Sequence, residues 1–248
     1  MGDNGFDIAM IAATFVVAGM VKGVTGMGLP TVAMGILGAL VSPLAAASLL
    51  LLPSFITNIW QLLTGPNFGA LLKRLWPMMA AIVFGTIASS SVMTGDNAEQ
   101  TTAALGVVLV CYALFTLLAR QLHVPAAWQA WASPLVGFLT GLVTGATGVF
   151  VIPAVPYLQA LDLDRDELVQ ALGLSFTVST VALAGGIFWH GALTSGTIML
   201  SALAVIPALV GMAAGQAIRS RISPPLFRRC FLVCLLLLGS EMAVRPLL

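Results

Sequence analysis

Charged residues are scarce in this sequence: they make up 8% of the 248 residues, against 59% for hydrophobic residues. Soluble domains carry about 25% charged residues and about 45–50% apolar ones. A soluble fold with so little charge would expose large apolar patches and aggregate. Apolar runs recur along the whole chain, and the mean hydropathy is +1.05. The composition therefore predicts an all-α integral membrane protein, not a soluble domain with one anchor.

Several kinds of functional group are missing as well. No basic cluster is large enough to neutralise many phosphates, so we expect no nucleic-acid partner. The cysteines, Cys111, Cys230 and Cys234, lie in apolar stretches without a nearby His or carboxylate, so we expect no metal site. The chain has neither a His-x-x-x-His pair nor a phosphate-binding Walker loop. These absences argue against an enzyme and against a bound cofactor.

Transmembrane segments can be read from the apolar runs, because a spanning helix needs about 20 apolar residues. Two long regions, near 6–41 and 131–161, are broken in the middle by glycine-rich motifs. The first motif begins at Gly19 and reads Gly-Met-Val-Lys-Gly-Val-Thr-Gly-Met-Gly-Leu-Pro. The second begins at Gly141 and reads Gly-Leu-Val-Thr-Gly-Ala-Thr-Gly-Val-Phe-Val-Ile-Pro. Six other segments are uninterrupted, near 43–63, 75–94, 100–119, 168–189, 196–218 and 226–244.

The two glycine motifs indicate an internal repeat. An offset of 122 residues, the separation of Gly19 and Gly141, also aligns Thr25 with Thr147 and Gly26 with Gly148. We therefore predict a first repeat over 6–119 and a second over 131–248, joined by a linker at 120–130. Repeats are common in secondary transporters and usually meet at the substrate site.

The distribution of cations favours a hairpin at each glycine motif, because Lys and Arg prefer the cytoplasmic side. If each broken region enters the membrane and returns, only Arg245 lies opposite the other cations that flank the spans. Those on the shared side are Lys73, Arg74, Arg120, Arg165, Arg219, Arg221, Arg228 and Arg229. Each half of a hairpin would then have about 15 residues, or about 22 Å of helix.

The hairpins also predict the topology. Each repeat makes an odd net number of crossings, so the second repeat should be inverted relative to the first. We expect extracytoplasmic N- and C-termini and a cytoplasmic linker. The first apolar run follows Met1–Asn4, which holds no basic residue, so we expect no cleavable signal peptide.

The glycine motifs are also the first candidates for a binding site. Backbone released from a helix within a membrane must line a cavity or find protein partners. The N-termini of half-helices present free N–H groups and positive dipole ends, so two of them meeting near mid-bilayer would bind an anion. The alternative is that glycines four residues apart serve only close helix packing.

Polar side chains extend this candidate site. Lys22 is an ionisable residue inside a span, and it either attracts the anion or extends to the membrane surface from a helix end. Hydroxyl groups in the spans either face the site or bond to their own backbone. The full set of predicted site residues is Lys22, Gly23, Thr25, Gly26, Asn58, Gln61, Thr144, Gly145, Thr147, Gly148, Ser175 and Ser179.

The paired glycine motifs, the two-repeat organisation and the Arg-rich segment 219–229 resemble the sulfite exporter TauE/SafE family over nearly the whole chain. The resemblance implies a secondary transporter that exports a small sulfur-containing anion, sulfite or an organosulfonate, across the bacterial inner membrane. Its partners would be that anion and the lipid bilayer, and a homodimer is one assembly we consider. An anion channel, or a transporter of another small organic anion, is the alternative.

Overall fold

The computed structural model describes residues 4–95, 97–118, 123–219, 221 and 223–245. Ten α-helices and no strand occur in these ranges. The helices are α1 (Asn4–Thr25), α2 (Leu29–Leu40), α3 (Pro43–Leu63), α4 (Phe68–Thr94), α5 (Ala98–Leu118), α6 (Ala126–Thr147), α7 (Ala154–Gln159), α8 (Arg165–Trp189), α9 (Ser195–Ile218) and α10 (Pro224–Val244).

The six uninterrupted spans predicted from hydrophobicity all coincide with helices, which are α3, α4, α5, α8, α9 and α10. Six helices, α1, α3, α4, α5, α8 and α9, are long and apolar enough to cross a bilayer. The chain is therefore an all-α integral membrane protein, as the composition predicts. Helix α4 begins at Phe68, seven residues before the predicted span, which left out the first two turns because they carry the charged Lys73 and Arg74. Helix α6 begins at Ala126, so the end of the predicted linker is helical.

The glycine-broken regions are interrupted, but their halves are unequal. Helices α1 and α6 each have 22 residues, about 33 Å of helix, which matches the roughly 30 Å hydrocarbon core. Helix α2 has 12 residues and α7 has 6. The expectation of about 15 residues per half was therefore wrong. Each helix continues through the early glycines of its motif and ends only at Thr25 or Thr147.

Those early glycines lie at helix–helix contacts. A Cβ atom on Gly23 would overlap the carbonyl oxygen of Met212 on α9, and one on Gly145 would overlap the carbonyl of Thr86 on α4. Helix α1 packs on α9 and α4 packs on α6. Small residues allow such close approach between membrane helices. In each predicted repeat the first helix thus contacts the fourth helix of the other repeat.

Helices at equivalent positions in the two predicted repeats run antiparallel where they meet. On α3 and α8, Ser54 contacts Thr180, whereas Gln61 lies farther along α3 and bonds to Val169, earlier on α8. The third helices of the two predicted repeats therefore run in opposite directions. This arrangement places the polar side chains of α3 against those of α8 at the centre of the bundle.

Pro53 lies inside α3 and has no N–H group for the carbonyl of Leu49. The hydroxyl of Ser201 on α9 donates to that carbonyl at 2.9 Å and accepts from the amide of Leu52 at 3.1 Å. A backbone group freed within a membrane needs such a partner. The contact also joins α3 of the first predicted repeat to α9 of the second.

Most of the cations lie at one end of the bundle. Arg74 donates to Gln129 Oε1 at 2.9 Å and to the carbonyl of Leu161 at 3.1 Å, which joins the starts of α4 and α6 to the connection before α8. Arg245 contacts the carbonyl of Ala39 at the opposite end. Arg120 lies outside the described residues. We call the first end the arginine-rich end, with Lys73, Arg74, Arg165, Arg219, Arg221, Arg228 and Arg229.

Candidate functional site

Lys22 is buried in the protein interior, with 4% of its surface exposed. Its Nζ donates to Thr57 Oγ1 at 3.1 Å and to Asn58 Oδ1, both on α3. The side chain therefore turns inward and does not extend to the membrane surface. A charged lysine has three N–H donors, and both partners found here are neutral. No third acceptor and no carboxylate contacts Nζ among the residues that the structure describes.

A hydrogen-bond chain extends from Lys22 across the bundle to α8. Asn58 Nδ2 donates to Ser54 Oγ at 3.0 Å. Ser54 Oγ lies 3.3 Å from Thr180 Oγ1, whose own proton goes to the carbonyl of Phe176 at 2.7 Å. The order of donors therefore runs from the lysine to α8. Such chains polarise their members in a low-dielectric interior, which strengthens each hydrogen bond in the chain.

Gln61 joins the first glycine break to the same pair of helices. Its Nε2 donates to the carbonyl of Gly26 at 3.1 Å and to the carbonyl of Val169 on α8 at 3.0 Å. Its Oε1 is buried without a partner in the described structure. Gln61 lies one turn beyond Asn58 on α3, so it closes the polar cluster on the side of the arginine-rich end.

Ser175 and Ser179 on α8 are fully buried, and neither hydroxyl has a partner within the described ranges. Unpaired buried hydroxyls are uncommon, because most bond to the carbonyl one turn back. Thr177 and Thr180 on the same helix do so at 2.7 Å. Ser175 and Ser179 lie on the face of α8 that carries Gly186, which packs against Ser90 of α4, and not on the face through which Gly173 and Thr180 contact α3.

At the first break, Gly23, Thr25 and Gly26 have three different roles. Gly23 packs against α9. The Thr25 hydroxyl donates to the carbonyl of Val21 at 2.8 Å and accepts from the amide of Met27 at 3.3 Å, so it ends helix α1. Gly26 has a φ of 79° and open space where a side chain would lie. These residues shape the break, and their side chains do not bond to Lys22.

At the second break, the predicted residues serve packing and helix termination. The hydroxyls of Thr144 and Thr147 each donate to the carbonyl four residues earlier at 2.7 Å. Gly145 packs against α4, and Gly148 has a φ of 72°. The following segment, with Phe150, is fully buried and apolar. No charged group occurs among the described residues of this break.

The two breaks do not meet at mid-bilayer, contrary to the sequence-based expectation. Gly148 packs against Ala47 near the start of α3, whereas the carbonyl of Gly26 is held by Gln61 near its end. These two levels of α3 are separated by about 21 Å at 1.5 Å per residue. Helices α1 and α6 therefore end toward opposite ends of the bundle. The structure therefore brings together Lys22, Asn58, Gln61 and Gly26, whereas Ser175 and Ser179 lie on another face of α8.

Sequence reasoning missed two parts of this region. Gln170 is buried on α8, where it donates to the carbonyl of Leu62 at 2.9 Å and accepts from the amide of Asn67 at 2.8 Å. Its signal was an amide side chain inside a predicted span. Arg219 and Arg228 line a cavity beside the first break. From the sequence, these arginines were used only to predict the membrane orientation, although the predicted hairpin already placed them at the same end as Gly26.

Comparison with known proteins now adds a family to this geometry. A family model described as sulfite exporter TauE/SafE matches residues 11–242. The chain belongs to this family. No curated protein and no solved structure matches it. Proteins of the TauE/SafE family are membrane transporters, and the match spans both glycine breaks and the buried lysine. Together with six helices able to cross a bilayer, it makes this a multi-pass membrane protein, consistent with a bacterial inner membrane.

Proposed function

We propose that this TauE/SafE protein is a secondary transporter that exports a small sulfur-containing anion, sulfite or an organosulfonate, across the cytoplasmic membrane. The observation that carries the proposal is the buried Lys22, whose bonding partners among the described residues are the neutral Thr57 and Asn58. An unneutralised cation inside a membrane protein is costly and marks a functional site. Its third N–H donor is the natural partner of an oxyanion.

The proposed binding site lies between α1, α3 and α8. Lys22 supplies the charge, and the hydroxyls of Ser175 and Ser179, which have no partner in the described structure, supply neutral donors from the neighbouring face of α8. Gln61 on α3 bonds to the first break and to α8, so movement of that break would change the shape of the site at the end nearer the arginines. A site of neutral donors around one cation releases its anion more easily than a cluster of cations would.

We also propose that the chain consists of two inverted repeats, over 6–119 and 131–248. The antiparallel pairing of α3 with α8 supports this, as does the reciprocal packing of α1 on α9 and α4 on α6. Alternating access would then come from moving one repeat-related bundle against the other. The arginine-rich end is proposed to be cytoplasmic, with both termini outside. A reporter fused after Leu248 should read as extracytoplasmic.

Counterflow in proteoliposomes tests the transport function. Vesicles preloaded with unlabelled sulfite should accumulate labelled sulfite, and the initial rate should saturate. With the membrane potential clamped at zero by valinomycin and equal K⁺ on both sides, a carrier that exchanges substrate accumulates the label, whereas a channel gives linear flux without accumulation. No signal for sulfite alongside saturable counterflow of an organosulfonate would select the second substrate. Absence of counterflow for all small sulfur and organic anions would contradict the transporter proposal.

A further inference from the structure

A second cationic region adjoins the first glycine break on the side away from Lys22. A cavity of about 450 Å³ opens there between the end of α1 and the starts of α2 and α10. Its wall includes Thr25 and Gly28 from the break and three arginines. The arginines are Arg219, Arg228 and Arg229. Lys22 does not line this cavity, so the two cationic regions are separate.

The arginines of this cavity have no anionic partner within the part of the chain that the structure describes. No carboxylate lies within 4 Å of them, and none of them donates a hydrogen bond to another described residue. Arg228 is half-buried, and Arg219 and Arg229 are exposed. A guanidinium presents a planar fork of donors that matches two oxygens of an oxyanion. Three such groups around one cavity concentrate anions locally.

The helix beside the cavity adds to its preference for anions. Gly28, which lines the cavity, is the N-cap of α2 and has a φ of 103°. No side chain caps the free N–H groups of that helix, so its positive dipole end points toward the same space. A cavity of this size accommodates a hydrated sulfite ion or the head of an organosulfonate.

We propose that this cavity is a second anion site, which binds a sulfur or phosphorus oxyanion group through Arg219, Arg228 and Arg229. It would hold the anion at the arginine-rich end, one helical turn from Lys22 along α1. In transport, this cavity would be where the anion first binds, and only that role rests on the proposed function. The binding itself requires the cavity alone. The same chemistry would bind either a free oxyanion or the phosphate of an anionic lipid.

The test measures sulfite binding to the purified full-length protein by isothermal titration calorimetry in nanodiscs of phosphatidylcholine. The Lys22→Met variant removes the buried cation, so any remaining binding reports the cavity. In that background, Arg228→Gln should weaken sulfite binding by about tenfold, and Arg219→Gln by about threefold because this side chain is exposed. Arg221→Gln is the matched control, because Arg221 lies at the same end but does not line the cavity.

A second arm identifies the source of the anion. Nanodiscs containing phosphatidylglycerol should leave sulfite affinity unchanged if a free oxyanion occupies the cavity. If phosphatidylglycerol instead lowers sulfite binding, and does so only while Arg228 is present, the lipid phosphate is the occupant. If Lys22→Met and Lys22→Met/Arg228→Gln bind sulfite equally and neither responds to the lipid, the cavity is not an anion site. Failure of counterflow with intact binding to the cavity would instead contradict only the transport proposal.

Discussion

The two glycine breaks share a backbone solution but differ in chemistry. At each, a threonine ends the helix by donating to the carbonyl four residues earlier and accepting, at 3.3 Å, from the amide two residues later. At each, the next residue is a glycine with positive φ, 79° for Gly26 and 72° for Gly148. Beyond that point the first break adjoins a cavity with arginines, whereas Phe150 of the second is buried against Phe176.

If the two halves are repeats, as proposed, this difference is one of specialisation. The positive φ and the threonine preserve the interruption, and neither needs a charge nearby. Lys22 has Thr144 as its counterpart at the 122-residue offset, so the second half lacks the buried cation. We infer that the first break belongs to the anion pathway and that the second break mainly anchors the bundle. The predictions below test this division.

The largest effect on transport is expected when Lys22 is replaced. Lys22→Met removes the only cation in the polar cluster and should lower the initial rate of sulfite counterflow by about 10- to 100-fold. The estimate follows from about 1.5–3 kcal/mol for a hydrogen bond to a charged group, with tenfold per 1.4 kcal/mol. Lys73→Met, the same change at an exposed position, should transport normally. Equal rates for the two variants would remove the functional difference between the breaks.

The second-largest effect is expected from neutralising the charge of Lys22 while keeping the lysine. Asn58→Asp places a carboxylate where Asn58 Oδ1 now accepts from Lys22. An ion pair should form and compete with the substrate anion, so counterflow should fall about tenfold while the melting temperature holds or rises. Asn97→Asp, at an exposed position before α5, is the control for the added charge. Transport at the wild-type rate would mean that the free charge of Lys22 is not needed.

Much of the architecture could be predicted from the sequence, because hydrophobic length and small-residue spacing are local signals. The interruptions and the shared end of the cations followed from them. The lengths of the hairpin halves could not, since the ends of α1 and α6 depend on Thr25 and Thr147 bonding to their own backbone. The bond from Lys22 to Asn58 was also out of reach, because it depends on how α1 rotates against α3. Of the polar residues predicted on the two motifs, several serve only packing or helix termination.

A smaller effect is expected on the α8 side of the site. Ser175→Ala with Ser179→Ala should reduce counterflow severalfold and leave the melting temperature unchanged, because neither hydroxyl has a partner to lose in the described structure. Ser48→Ala is the control, since its buried hydroxyl donates to the carbonyl of Leu44 at 2.9 Å. That variant should transport normally. Unchanged counterflow in the double serine variant would place the anion away from α8.

The smallest effect is expected on thermal stability when the glycine of each break, Gly26 or Gly148, is replaced. Gly26→Ala and Gly148→Ala both force a side chain into left-handed backbone, at about 1–2 kcal/mol. A Cβ at Gly26 meets open space, whereas at Gly148 it lies 2.8 Å from the end of Met34, so that buried side chain must shift, which adds a smaller packing cost. Thermal unfolding in nanodiscs should therefore show the larger decrease for Gly148→Ala. Gly69→Ala, in a helix with open space around it, should cause no decrease. Equal decreases at Gly26 and Gly148 would contradict the tighter packing expected at the second break.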